Sequence, residues 1–131
     1  MSATDIDVVK AMFAAFAARD LETVLTLADP DIEFTAVTGE HAGRTDPYRG
    51  HDGLRDYFRD VGAVWEELRL TPREFRPVGN LVLVTGKVSA RSRGRSVTGS
   101  TGWIWQIRDG KVVYGRVYAS AADAIAALET S

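Results

Sequence analysis

The run Thr101-Gly102-Trp103-Ile104-Trp105 leads through Asp109-Gly110 into Val113-Tyr114-Gly115-Arg116-Val117-Tyr118, and it constrains this chain more than any other feature. Asp-Gly between two alternating segments marks a β-hairpin. Residues two apart on a strand share a face, so both indoles stand on one side of the sheet. Side chains that large must be covered, either by a packed core or by a ligand.

Register decides what the indoles meet. A two-residue turn at Asp109-Gly110 sets Trp105 opposite Tyr114 and Trp103 opposite Arg116. A three-residue turn with a left-handed Gly110 shifts the pairing by one, so that Trp103 faces Gly115 and Trp105 faces Val113. A one-residue slip reverses every side chain, so the two readings exclude each other. The bulged turn is favoured because it gives a bulky indole a glycine neighbour. It puts Trp103, Trp105 and Val117 on the concave face and Tyr114, Arg116 and Tyr118 on the convex one.

The rest of the chain supplies the cover. Val9, Met12, Phe13 and Phe16 follow a Thr4–Asp7 capping box at helical spacing. Asp20 caps a short second helix that carries Leu21, Val24, Leu25 and Ala28 and stops at Pro30. Residues 32–36 alternate as a short strand, and residues 38–53 form a long, glycine-rich connection of the kind that often carries function. Leu54, Tyr57, Phe58, Val61 and Trp65 draw one apolar stripe on a third helix. From Leu68 the pattern turns to strands, 68–75 and 81–91, then the tryptophan hairpin, then a short helix over 121–128. Helices first and a four-stranded antiparallel meander after them predict an α+β fold, a single domain over residues 1–131.

Composition removes several function classes. The 131 residues contain no cysteine, which rules out disulfides, thiolate metal sites and cysteine nucleophiles. Sixteen basic against eighteen acidic side chains give a net charge of −2, so neither nucleic acid nor an anionic membrane is expected as a partner. Two histidines make no zinc pattern, and no metal or cofactor is expected. The acidic start (Asp5, Asp7) does not resemble a signal peptide, and no apolar run reaches the roughly 20 residues of a membrane span. A cytoplasmic location is the expectation.

Four segments carry a resemblance: Asp29-Pro30-Asp31-Ile32-Glu33-Phe34, the stretch from Tyr48 to Phe58, the stretch from Trp103 to Val113, and Arg116-Val117-Tyr118 before the alanine-rich helix. In these the chain resembles a SnoaL-like domain of the nuclear transport factor 2-like superfamily, which also holds ketosteroid isomerases and limonene epoxide hydrolases. The resemblance implies a cone-shaped, curved antiparallel sheet wrapped around three N-terminal helices, with a short C-terminal helix. It also implies an apolar pocket in the concavity and a homodimer through the convex face. The scaffold carries many unrelated activities. The isomerases' base, tyrosine and protonated aspartic acid fall near Thr35, Met12 and Trp103 here, and the hydrolases' Asp–Arg–Asp set falls near Ser89, Lys87 and Val117. Neither catalytic set is present.

The ligand-contacting candidates are Phe16, Phe34, Tyr57, Phe58, Trp65, Trp103, Trp105 and Val117, an apolar set with a few polar tips that suits a small-molecule site. The same aromatics would equally serve as core. Proton-transfer candidates are His51, beside Asp52 at the opening of the third helix, Glu33 and Lys87. His41, near Asp46, reads as a loop residue, and alternation around Glu33 and Lys87 favours exposure of both. Arg91, Arg93 and Arg95 form a basic hairpin tip. Three functions are therefore in play: binding of a small, mainly apolar or aromatic metabolite; an isomerase, cyclase or hydrolase acting by general acid–base catalysis; and a dimeric interaction module whose core is filled. An enzyme needs an ionisable group in the cavity, a binder needs roughly 300 Å³ or more of empty space, and the interaction module needs neither.

Overall fold

The computed structural model describes residues 2–36, 38–39 and 42–129, and of residues 2–4 the backbone only. His41 and the side chain of Thr4 lie outside the described residues. Helix α1 (Ser2–Ala17) leads into α2 (Leu21–Leu27), where the Asp20 side chain accepts from the Thr23 backbone N–H at 3.2 Å and from its hydroxyl at 2.6 Å. This is the expected cap. The helix ends one residue early, because Ala28 already belongs to strand β1 (Ala28–Thr35) and Pro30 lies within that strand. The long connection is shorter than expected. It contains a two-residue strand β2 (Tyr48–Arg49), and α3 (Gly50–Val64) starts directly after it.

Four long strands follow, β3 (Glu67–Val78), β4 (Leu81–Ser92), β5 (Arg95–Arg108) and β6 (Lys111–Tyr118), and then α4 (Ala121–Glu129). The sheet order is β2-β1-β6-β5-β4-β3, with β1 parallel to β6 and every other neighbouring pair antiparallel. The six strands form one open, curled sheet with α1, α2 and α3 in its hollow, which is the expected α+β cone.

The hairpin register differs from both sequence readings. Asp109 (φ +54°) and Gly110 (φ +76°) form a two-residue turn of left-handed residues, pairing Arg108 with Lys111 and Ile107 with Val112. The extra residue is Val113, one pair beyond the turn, where β6 bulges. Beyond the bulge Trp105 pairs with Gly115 and Trp103 with Val117. The indoles thus occupy the expected face, but the glycine partner belongs to Trp105. A short turn and a bulge together keep Ile107, Val112, Gly115 and Val117 on the concave side.

Two apolar clusters hold the sheet. The larger fills the concavity and includes Val9, Phe13, Ile32, Phe34, Leu54, Tyr57, Val84, Trp103 and Trp105. The smaller lies on the convex face, where Ala124 of α4 packs with Leu83 and Ile104, flanked by Tyr114, Tyr118 and Leu128. Gly102 lets the helix approach, since a Cβ there would lie 2.7 Å from that of Ala124. The convex face at Tyr114 and Tyr118, expected to meet a second copy, is therefore partly covered by the chain's own last helix.

Candidate functional site

The concavity is not filled. A cavity of about 870 Å³ lies between the helices and the inner face of the sheet. Strand alternation selects its lining: β5 contributes Thr101, Trp103 and Trp105, β4 contributes Val88 and Ala90, and β6 contributes Val117. All eight aromatic and aliphatic candidates named above line it. The closed end is built around Phe13, whose ring meets Trp103 edge-on at 4.9 Å, Trp105 at 5.7 Å and Phe75 at 6.1 Å. Trp103 is 1% exposed. The open end lies at the β4–β5 hairpin, where Arg93, Arg95 and the exposed Val97 form the rim. Neither rim arginine has an ion-pair partner among the described residues.

A side wall of rings joins α1, β1 and α3. Tyr57 stacks on Phe16 at 5.5 Å and takes Phe34 edge-on at 4.9 Å, while Phe34 stacks on Trp105 at 5.8 Å and 13°. Burial, helped by nearby Tyr48 and opposed by Arg19 and Thr38, pushes the Tyr57 hydroxyl far above the ordinary phenol range. Tyr57 is therefore neutral at physiological pH and serves as a hydrogen-bonding group, not a base.

The other polar groups of the lining are largely committed to the protein. Thr38 Oγ1 accepts from Trp65 Nε1 at 2.8 Å, Ser92 Oγ donates to Val64 O at 2.7 Å, and Thr101 Oγ1 donates to Tyr118 O at 2.9 Å. Trp105 is different. Its Nε1–H is buried and has no acceptor, alone in this among the buried side-chain nitrogens and oxygens described.

The proton-transfer candidates lie elsewhere. His51 is on the first turn of α3 with Nε2 3.0 Å from Ala28 O; a carbonyl only accepts, so that nitrogen carries a proton. Glu33 points away from the hollow, 3.6 Å from Arg49, and Lys87 is exposed opposite Thr71 and Ser100. Of the positions aligned with the two enzyme families, Met12, Trp103 and Val117 line the cavity, whereas Thr35, Ser89 and Lys87 are not among its lining residues. The described lining contains no Asp, Glu, His or Lys. No group of three or more metal-ligating side chains forms among the described residues, and none of their helices is long and apolar enough to cross a membrane.

Sequence reasoning missed Thr38, Thr101, Ser92 and the aliphatic patch of Leu68, Leu70, Val88 and Ala90. Inward alternation of β4 carried a signal for Val88 and Ala90. Thr38 had none, because its place depends on how the loop before β2 is tied down. Arg44 ties it: its guanidinium meets Asp56 at 3.1 Å and Asp60 at 3.1 Å and lies over the Tyr48 ring, and Tyr48 donates to Asp60 at 2.7 Å.

The fold has relatives among solved structures. An NTF2-like protein of unknown function from Burkholderia pseudomallei is 28% identical, with a TM-score of 0.80 over 94% of this chain and 95% of that one. TerC, co-crystallized with polyporic acid, is 29% identical, with a TM-score of 0.79 over 98% and 99%. An NTF2-like protein from Burkholderia xenovorans is 26% identical, with a TM-score of 0.77 over 95% and 97%. No curated protein matches the chain. The family of SnoaL-like domains matches residues 9–115, most of the length, and the chain belongs to that family.

Proposed function

We propose that this protein binds a small, mainly apolar or aromatic metabolite in its concave cavity. One observation carries the reading: about 870 Å³ of space lined by aromatic and aliphatic side chains, with no carboxylate, imidazole or amine among the described lining. That volume lies within the range of small-molecule sites, roughly 300–1,000 Å³. It argues against an interaction module with a filled core. Catalysis by general acid and base needs a group that can take a proton within hydrogen-bond reach of the ligand. The buried Tyr57 holds its proton, so acid–base catalysis finds no base among the described lining residues.

The similarity to TerC supports polyporic acid as a first probe. Intrinsic tryptophan fluorescence is titrated with polyporic acid and with the neutral aromatic N-phenyl-1-naphthylamine, in the wild type and in Val88→Phe, which puts a ring into the open half of the cavity. Saturable quenching in the wild type, weakened at least tenfold in Val88→Phe at unchanged Tm, is the expected result. No saturable response to either compound would overturn the reading. The homodimer implied by the family has as its candidate surface the part of the convex face beyond α4, including Thr85, Lys87, Thr98 and Ser100. Light scattering on the purified protein tests it.

A further inference from the structure

The mouth of the cavity is charged and its depth is not. Arg93 and Arg95 are the charged side chains of the described lining, which otherwise offers rings, aliphatic groups and hydroxyls. Both stand at the β4–β5 hairpin, which closes through left-handed Arg93 (φ +52°) and Gly94 (φ +78°). Arg95 pairs with Ser92, whose hydroxyl reaches inward to Val64 O, and residues directly opposite share a face of the sheet. The third arginine of the tip is used differently. Alternation turns Arg91 outward, where it meets Glu66 at 3.2 Å and Glu67 at 3.9 Å, and Glu66 also accepts from the Gly94 N–H at 3.3 Å. Those carboxylates are thereby engaged, while Arg93 and Arg95 have no ion-pair partner among the described residues.

The inward positions of β5 grade from charge to ring, through Arg95, Val97, Gly99, Thr101 and Trp103. Val97 lines the cavity yet is 60% exposed, and a Cβ on Gly99 would meet no atom within 4 Å, so the space just inside the arginines is open. Further in, the hydroxyls of Thr38, Ser92 and Thr101 are engaged with other protein atoms. An anion placed there would lose its water and find no partner, at a cost that burying rings does not offset. At the mouth the same anion keeps part of its water and meets two guanidinium groups, whose planar forks match a carboxylate. We infer that the ligand is an amphipathic acid, an apolar or aromatic body with a carboxylate or other acidic oxygen at one end. It binds body first, covering Val97 and facing the indoles, with its acid group between Arg93 and Arg95. The inference rests on the binding function proposed above and names the chemistry of its ligand; the two arginines are its specificity-determining residues.

A matched pair of probes tests it. Biphenyl-4-carboxylic acid, ionised at neutral pH, and biphenyl-4-carboxamide share one frame and differ in the charge of the end group. Calorimetric titration of the wild type at low salt should give roughly three- to tenfold tighter binding of the carboxylate, since ion pairs open to solvent each contribute a small factor. Salt raised to about 0.5 M should bring the preference below about twofold. The double variant Arg93→Gln, Arg95→Gln should bind the two compounds equally, with the affinity for the amide and the Tm unchanged, because both positions are exposed on a hairpin end. Arg108→Gln removes an exposed charge at the far end of β5 and should keep the wild-type preference, which separates a local contact from net charge. Equal binding of both compounds by the wild type, or a preference that survives in the double variant, would overturn the role of the arginines and leave the cavity as a plain apolar site. Failure of both compounds to bind would overturn the binding function and this inference with it.

Discussion

Replacing Gly115 by alanine tests the packing on which the site depends. A Cβ at Gly115 would lie 2.6 Å from Trp105 Cζ3, 2.7 Å from Cε3 and 3.0 Å from Phe34 Cδ1. Carbon atoms in contact prefer about 3.5–4.0 Å, so the indole has to retreat by roughly 1 Å. Phe34 stacks on that indole and Phe13 meets it edge-on, so the ring cannot slide freely in its own plane. It can tilt into the cavity, which limits the strain. Overpacking a core by one methyl group costs about 1–3 kcal/mol, and the partial relief puts Gly115→Ala near the middle, about 2 kcal/mol. For a chain of this size that lowers Tm by roughly 6–10 °C. Gly62→Ala is the control. Gly62 is an exposed residue of α3 with open space around its Cα, so the same methyl group should stabilise by about 0.5–1 kcal/mol. Thermal unfolding followed by near-ultraviolet circular dichroism reads both the stability and the environment of the indoles. A Gly115→Ala protein within about 2 °C of wild type, with an unchanged aromatic spectrum, would refute the placement of Trp105 over Gly115.

Two further perturbations address the loop clamp and the buried phenols. Tyr48→Phe removes the 2.7 Å hydrogen bond to Asp60 but keeps the ring under Arg44; it should cost about 1.5–2 kcal/mol in urea unfolding, and a loss below about 0.5 kcal/mol would show that Arg44 alone fixes the loop. Burial, aided at Tyr48 by Asp60, raises the phenol pKa values of Tyr48 and Tyr57 above the unfolded value near 10, and burial also raises that of Tyr114. A raised folded pKa gives stability that is whole below about pH 10 and is lost as pH rises through the folded values, so these tyrosines should ionise only together with unfolding. Tyrosinate absorbance reporting all four tyrosines ionised near pH 10 in a still-folded chain would contradict that burial.

Periodicity made the fold legible because each element buries one face. The stripe Leu54, Tyr57, Phe58 and Val61 lies on α3 with Trp65 at its C-cap, Val82 and Val84 alternate inward on β4, and Asp20 caps α2 through its own side chain. Three features left no such trace. The bulge at Val113 looks like any other β-branched strand residue, and only the need to keep both Val112 and Gly115 inside fixes it. Strand β2 is two residues long and depends on pairing with β1 across a connection that periodicity cannot read. The docking of α4 on the convex face depends on the missing side chain at Gly102, which a sequence offers equally as a turn residue or a strand weakness.

The site was legible as composition and not as chemistry, for a reason contained in its own residues. The eight lining candidates were found because a ring facing the hollow helps fold the chain whether or not a ligand ever sits there. Ionisable candidates were sought by residue type, and His51, Glu33 and Lys87 each find a carbonyl, an arginine or solvent outside the cavity. Trp65 Nε1 donates to Thr38, whereas Trp105 Nε1 is buried without an acceptor, and such a difference is a property of three-dimensional surroundings that no spacing rule encodes. Folding selects a large apolar body over Gly115, which phenylalanine would also supply in part. Trp105→Phe keeps most of that body and removes the unpaired donor, so a small loss of stability, read as Tm, would show that the ring and not its N–H holds this part of the fold.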